Sequence, residues 1–276
     1  MVGFATVAPP LPSPPDIEAR IERARALIAP WEGRPGVLGA FLCGSSVRPY
    51  ADAASDYDVR VVVEDEAFAH IPAVEVHTSV SEGGKKVQDI WNMSRGELER
   101  PVRELERHRA RFARVLFDRA GELGALLASV AQMPTATREA RLRVHYYEVT
   151  YLAQKVQNAQ RRTQRSVALL LCGHLVLATA KLLLVERGEW TPPLSWVFEE
   201  MAIAGVPADT VAILRALLEN PEPRAIRGLR GTIDSYLLER GTTFIKDPLA
   251  LWEWLYDTPE GQLARSEWGG EGLRLS

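Results

Sequence analysis

The segment running from Leu42-Cys43-Gly44-Ser45 to Asp56-Tyr57-Asp58 is the feature that most narrows what this chain can become. An apolar run, Val37 to Leu42, reads as a buried strand that delivers the Gly44-Ser45 turn. Ten residues separate Ser45 from Asp56, and Tyr57 to Val63 then reads as a second strand. Residues two apart in a strand share a face, so Asp56 and Asp58 project together. Two convergent carboxylates repel unless a cation lies between them. Magnesium takes oxygen ligands, commonly one or two carboxylates completed by substrate phosphates. Gly44 lets the backbone approach a phosphate closely, and Ser45 and Ser46 add hydroxyl and N–H donors. The segment therefore describes a site for a metal–triphosphate.

The flanking sequence gives this segment a setting. Pro9 to Pro15 reads as an extended arm, and Asp16 as the cap of a helix carrying Ile17, Ile21, Ala24 and Ile28 at helical spacing. Pro30 and the Gly33-Arg34-Pro35-Gly36 cluster are expected to end that helix. Ala73 to Val80 and Lys85 to Asn92 read as a hairpin turned by Ser81-Glu82-Gly83-Gly84. The second arm carries Asp89, a third carboxylate placed to complete a two-metal site or to act as general base. Ser94 is expected to cap a charged helix of about fifteen residues, and Phe112 to Phe117 reads as a last strand. Asp118, in Asp118-Arg119-Ala120-Gly121, is a rival third carboxylate, but its setting is turn chemistry.

Beyond Glu122 the periodicity is helical throughout, from Thr137 to about Gln164, Ser166 to Arg187, and in shorter stretches after Pro193, Pro207, Pro221 and Pro248. The expected fold class is α+β: an N-terminal mixed sheet with flanking helices, followed by an all-helical C-terminal domain. The expected boundaries are an arm over 1–16, a domain carrying the metal–triphosphate segment over 17–120 and a helical domain over 121–276.

With Lys+Arg 33 against Asp+Glu 36, the net charge of −3 argues against a duplex-DNA binder. Cys43 and Cys172 are too few for a disulfide scaffold or a zinc cluster. The most apolar segment, Val167 to Val185, is interrupted by Gly173, His174, Thr179 and Lys181, and reads as short of a membrane span. The N-terminus lacks a basic signal region, so a cytoplasmic protein is expected. There is no P-loop sequence and no GxGxxG.

Gly44-Ser45, the ten-residue gap and Asp56-x-Asp58 resemble the signature of the nucleotidyltransferase superfamily, which includes DNA polymerase β and the kanamycin and lincosamide nucleotidyltransferases. The resemblance covers roughly Val37 to Asp118 and is nearest to the small-molecule, antibiotic-type members. It implies transfer of a nucleoside monophosphate, AMP in the first instance, from an NTP to a hydroxyl of a small acceptor such as an aminoglycoside-like antibiotic, with release of pyrophosphate. It implies Mg2+, two ions, held by Asp56, Asp58 and Asp89. Gly44, Ser45 and Ser46 would cradle the phosphates, with Arg48 as a supporting cation. Pro49 stands where such loops usually carry glycine.

Such relatives also use a glutamate of the helical domain as base, which points to Glu148. Between Arg141 and Arg165 six basic residues face only Glu148, and His145, Glu148, Lys155 and Arg162 fall on one polar stripe. On that reading the stripe borders the cleft, with Lys155 near the triphosphate; its bland counterpart is a solvated face. Whether Glu148 or Asp89 is the base stays open. Lys85 and Lys86 could reach a phosphate but, following a Gly-Gly turn, read first as a solvated strand end, and His174 reads as a core histidine. The partners expected are the NTP and the small acceptor, with no membrane and no duplex DNA; a homodimer is left open. The alternatives are nucleotidylation of RNA or protein, and a non-catalytic nucleotide- or partner-binding scaffold of the same fold.

Overall fold

Ile21, Ala24 and Ile28 make the buried stripe of α1 (Ile17–Glu32). The computed structural model describes residues 14–269, apart from residue 102 and the side chains of Glu82 and Lys85, so most of the proline-rich arm lies outside the described residues. Asp16 does not cap α1 through its side chain; its Oδ1 accepts from Arg20 Nε at 2.9 Å. Pro30 does not end the helix. It sits in the last turn, where it forgoes a bond to the carbonyl of exposed Ala26, which water can satisfy.

Strands β1 (Val37–Cys43) and β2 (Tyr57–Val63) follow, then short α2 (Asp65–Phe68) and α3 (Ala73–Val76). The first half of the run expected as a strand from Ala73 is thus a helical turn begun by Pro72. Next come β3 (His77–Glu82), β4 (Lys85–Ser94), α4 (Arg95–Glu99), α5 (Glu104–Phe112), β5 (Arg114–Asp118) and α6 (Leu123–Ala131). The sheet order is β3-β4-β2-β1-β5, with β2 and β4 parallel and every other pair antiparallel.

Phe41, Cys43, Val62 and Met93 on one face of this sheet share a cluster with Leu98 of α4, Ala110 of α5 and Leu123 and Leu127 of α6. Ala40, Leu42, Val59 and Val61, all fully buried, alternate with them and face the other side. Helix α1 lies against β1, β2 and β5. The sheet is therefore covered on both faces, which explains why β1 and β2 are near-continuous apolar runs.

The charged helix expected after Ser94 is two helices. Ser94 and Glu97 form a reciprocal capping box at the start of α4. Pro101 disfavours the helical conformation of Arg100, which adopts φ −128° and ψ 62°, and the helix stops. Asp118 serves the turn: its carboxylate accepts from the N–H of Gly121 at 2.9 Å and of Leu123 at 2.7 Å.

The chain divides into two compact units at Gln132/Met133. The division follows α6 rather than the expected 120/121, because α6 packs on α5 and β5. The second unit is all helix: α7 (Thr135–Arg161), α8 (Arg165–Glu186), α9 (Val197–Ile203), α10 (Ala208–Glu219), α11 (Pro223–Glu239), α12 (Pro248–Asp257) and α13 (Pro259–Trp268). Among the described residues α8 is the one helix long and apolar enough to cross a bilayer, with mean hydropathy 2.1, so its interruptions do not shorten it as expected. It packs as a core helix, with Cys172, Leu175, Leu182 and Leu183 buried and α7, α9 and α10 against it. His174 faces outward rather than into the core.

Ser94→Ala removes the acceptor at the start of α4 and is expected to cost about 1 kcal/mol of stability. Chemical denaturation measures it, with Ser94→Thr retaining most of the cap.

Candidate active site

Position 44 must be glycine for two independent reasons. Its φ is +76°, and a β-carbon there would lie 2.1 Å from Asp58 Oδ2. Cys43 pairs with Asp58 across β1 and β2, so the turn leaving β1 runs against the carboxylate that begins β2. Ser45 opens a single 3₁₀ turn and is half-buried.

Two residues expected at the phosphates turn inward instead. Ser46 is fully buried and donates to the Cys43 carbonyl at 3.0 Å, closing the turn. Arg48 is 2% exposed, with Nη2 2.6 Å from His108 Nε2 and its guanidinium 3.1 Å from the centre of the Phe112 ring. Ser46 thus faces back into the turn, and Arg48, in extended backbone just after it, reaches His108 and Phe112 of α5.

The parallel register of β2 and β4 sets Asp58 directly beside Asp89. Ser79 Oγ donates to Asp89 Oδ1 at 2.6 Å, and His77 Nε2 lies 2.7 Å from the same oxygen. His77 also stacks on Trp91, ring centres 4.0 Å apart. Lys86 Nζ lies 2.7 Å from Asp56 Oδ2 and 3.2 Å from Asp89 Oδ2. The hairpin makes this possible through a bulge. Ser81 pairs with Lys86 but Val80 pairs with Gln88, leaving Val87 unmatched. Without the extra residue, Lys86 and Asp89, three apart, would point to opposite faces.

Burial alone would raise the Asp89 carboxyl, but hydrogen bonds from Ser79, His77 and Lys86 outweigh it and hold it far below the usual carboxylate range. Asp58 is shifted the other way. Burial raises it, and the nearby charge of Asp56 adds to the rise while Arg109 opposes it.

Among the described residues no three His, Cys, Asp or Glu side chains form a ready-made metal cluster, so the trio is not pre-assembled around one point. The chemistry of the donors nonetheless fits a hard divalent cation. All three are carboxylates: Asp58 and Asp89 lie side by side on adjacent strands, Asp56 just precedes β2, and an ammonium already stands between Asp56 and Asp89.

The same face of the sheet opens into a cavity of about 480 Å3, with Asp58, Asp89, Arg60 and Trp91 on its floor and Arg109 on its α5 wall. Glu106 holds the two arginines: Arg109 Nη1 lies 2.6 Å from its Oε1, and Arg60 Nε 3.5 Å from its Oε2. Arg100 and Arg103 complete the basic part of the lining, and Glu97 joins Glu106 in the acidic part.

The helical stripe does not keep one environment. Glu148 is 8% exposed, with its Oε2 3.4 Å from His145 Nδ1, and burial lowers the His145 pKa despite the Glu148 contact. Lys155 is exposed, its ammonium 4.9 Å from the Tyr151 ring centre. Arg141 is buried between Trp190 and Trp268, and Arg143 lies over Phe244 and Trp254. Aromatic packing thus takes up much of the basic character read in this helix.

Sequence reasoning missed His77, Ser79, Arg60 and Arg109. Arg60 was legible, being two residues past Asp58 on the same strand face. His77 and Ser79 depend on the bulge, and Arg109 on a helix–sheet contact.

Gly44→Ala is expected to destabilise the chain by more than about 1 kcal/mol through backbone strain alone, with the Asp58 clash added. In an Asp58→Ala background the clash with the carboxyl group is removed while the 3.0 Å approach to the residue-58 β-carbon stays, and a double-mutant cycle in denaturant measures the carboxyl part.

The sequence matches no protein-family model and no curated protein sequence. Among solved structures, it is similar to a nucleotidyltransferase-like protein from Exiguobacterium sibiricum 255-15, at 17% identity over 79% of this chain and 76% of that one, with a TM-score of 0.46.

Proposed function

We propose that this chain is a divalent-cation-dependent nucleotidyltransferase that moves a nucleoside monophosphate from an NTP, ATP first, to a hydroxyl of a small acceptor. The observation that carries this reading is Asp58 set against the Gly44 turn and beside Asp89, with Lys86 joining Asp89 to Asp56, at a cavity that Arg60 and Arg109 also line. A polyphosphate binds where cation ligands and guanidinium groups stand side by side.

In this mechanism Asp56, Asp58 and Asp89 would hold the cation, and Ser79 and His77, already on Asp89 Oδ1, would leave Oδ2 to be presented to it. The chemistry such a cation supplies is neutralisation of charge on the transferred phosphoryl group and activation of the attacking oxygen. Gly44 and Ser45 offer N–H and hydroxyl donors to phosphate oxygens. Arg60 and Arg109, oriented by Glu106, take the remaining negative charge. The acceptor oxygen bonds to the α-phosphorus as the bond to pyrophosphate breaks, and the hydroxyl proton is released. Asp89 is a ligand in this scheme, with its Oδ1 already held by Ser79 and His77. No step is assigned to Glu148, which is paired with His145 inside the helical unit.

The test is pyrophosphate release from ATP and Mg2+ across a panel of hydroxylated amines, aminoglycosides included. Asp56→Asn with Asp58→Asn is expected to abolish both turnover and Mg–ATP binding; unchanged binding in that variant would sink the reading. Ser79→Ala or His77→Ala is expected to weaken cation affinity about 10- to 100-fold, as for other groups that orient a ligand. Isothermal titration with Mn2+ reads it.

A further inference from the structure

Lys86 carries an ammonium at the site to which the scheme above gives no role. Its ammonium takes the oxygens a cation would need: Asp56 Oδ2 at 2.7 Å and Asp89 Oδ2 at 3.2 Å. The other oxygen of Asp89 is committed to Ser79 and His77, so Oδ2 is the one free to change partners. The contact is also built rather than incidental. It exists because Val87 is bulged out, and a bulge gives up ladder pairing to aim a side chain.

Lys86 is equipped to leave as well as to stay. Its side chain is 46% exposed, whereas Asp56 and Asp89 are at 23% and 13%. Its four-carbon stem swings from a hairpin whose tip is Gly83-Gly84, at φ +59° and +82°. An exposed ion pair of this kind is weak enough to yield to a divalent ion and strong enough to be felt by it.

We propose that Lys86 is a built-in counter-cation, bridging Asp56 and Asp89 in the metal-free protein, so that a divalent cation enters only by displacing it. This rests on the reading of the trio as cation ligands. The pairing lets the carboxylates fold together without a metal, and it lowers the apparent cation affinity by the fraction of molecules in which the bridge is closed.

The test uses Mn2+ alone, followed by electron paramagnetic resonance on the full chain. Lys86→Met keeps the stem and loses the charge, and is expected to bind Mn2+ about three- to fivefold more tightly than wild type. Lys86→Arg keeps the charge and is expected to bind like wild type. In 15N-lysine-labelled protein, the Lys86 side-chain resonance is expected to move during a Mg2+ titration with the midpoint of binding. Wild type binding Mn2+ through Asp56 and Asp58, with Lys86→Met binding no tighter, overturns the proposal and leaves the cation site standing. If neither wild type nor Lys86→Met binds Mn2+ in a way that Asp56→Asn with Asp58→Asn removes, the cation site falls and the proposal with it.

Discussion

Three carboxylates brought to one end of a sheet repel one another, and the N-terminal unit is arranged around containing that repulsion. Each carboxylate is contained differently. Asp56 is partly exposed and paired with Lys86. Asp89 is saturated by three donors and driven strongly acidic. Asp58 is the least compensated, raised by burial and by Asp56 and opposed by Arg109. The three are thus held unequally: Lys86 reaches Asp56 and Asp89, while the charge of Asp58 stays costly until a positive partner is close.

The rest of the unit follows from holding these groups in register. Parallel pairing of β2 with β4 places Asp58 beside Asp89 and also sets Val62 beside Met93, so one alternation supplies the polar site and the apolar anchor beneath α4, α5 and α6. Slipping the pairing by one residue would put Asp58 into the α1 face and Val59 into the cavity. The apolar contacts therefore guard the chemistry. They also carry Arg109 and Glu106 to the cavity, since α5 is fixed there by buried Ala110 and Phe112.

Much of this was legible in the residues. The limits of β2 follow from its valines, and Gly44, Asp56 and Asp58 follow from strand alternation and the need for a close turn. Asp89 was legible because a hairpin next to β2 had to present something there. What escaped was anything set by a single-residue irregularity. A regular two-residue hairpin would have paired Thr78 with Asp89; the bulge at Val87 substitutes Ser79 and turns Lys86 from a solvated strand end into a partner of two carboxylates. Ser46 and Arg48 were misassigned for a similar reason, because a 3₁₀ turn and the extended residue after it aim side chains in a way that spacing does not encode. Helix periodicity likewise put His145, Glu148 and Lys155 on one stripe but could not tell its buried end from its exposed one.

Charge is the property whose reading changes most between chain and structure. A net charge of −3 and a basic helix stretch look like a weak field with one strong patch. In the folded units the arginines are mostly spent locally: Arg141 and Arg143 on aromatic rings, Arg48 on Phe112, Arg60 and Arg109 on Glu106. Only the last two keep their guanidinium groups at a cavity that also holds carboxylates. Glu106 fixes both arginines, and the cavity they line sets Arg60, Arg100, Arg103 and Arg109 against Asp58, Asp89, Glu97 and Glu106. The field at such a wall is short-ranged, set by how individual pairs such as Glu106 with Arg60 and Arg109 are arranged, and composition averages it away.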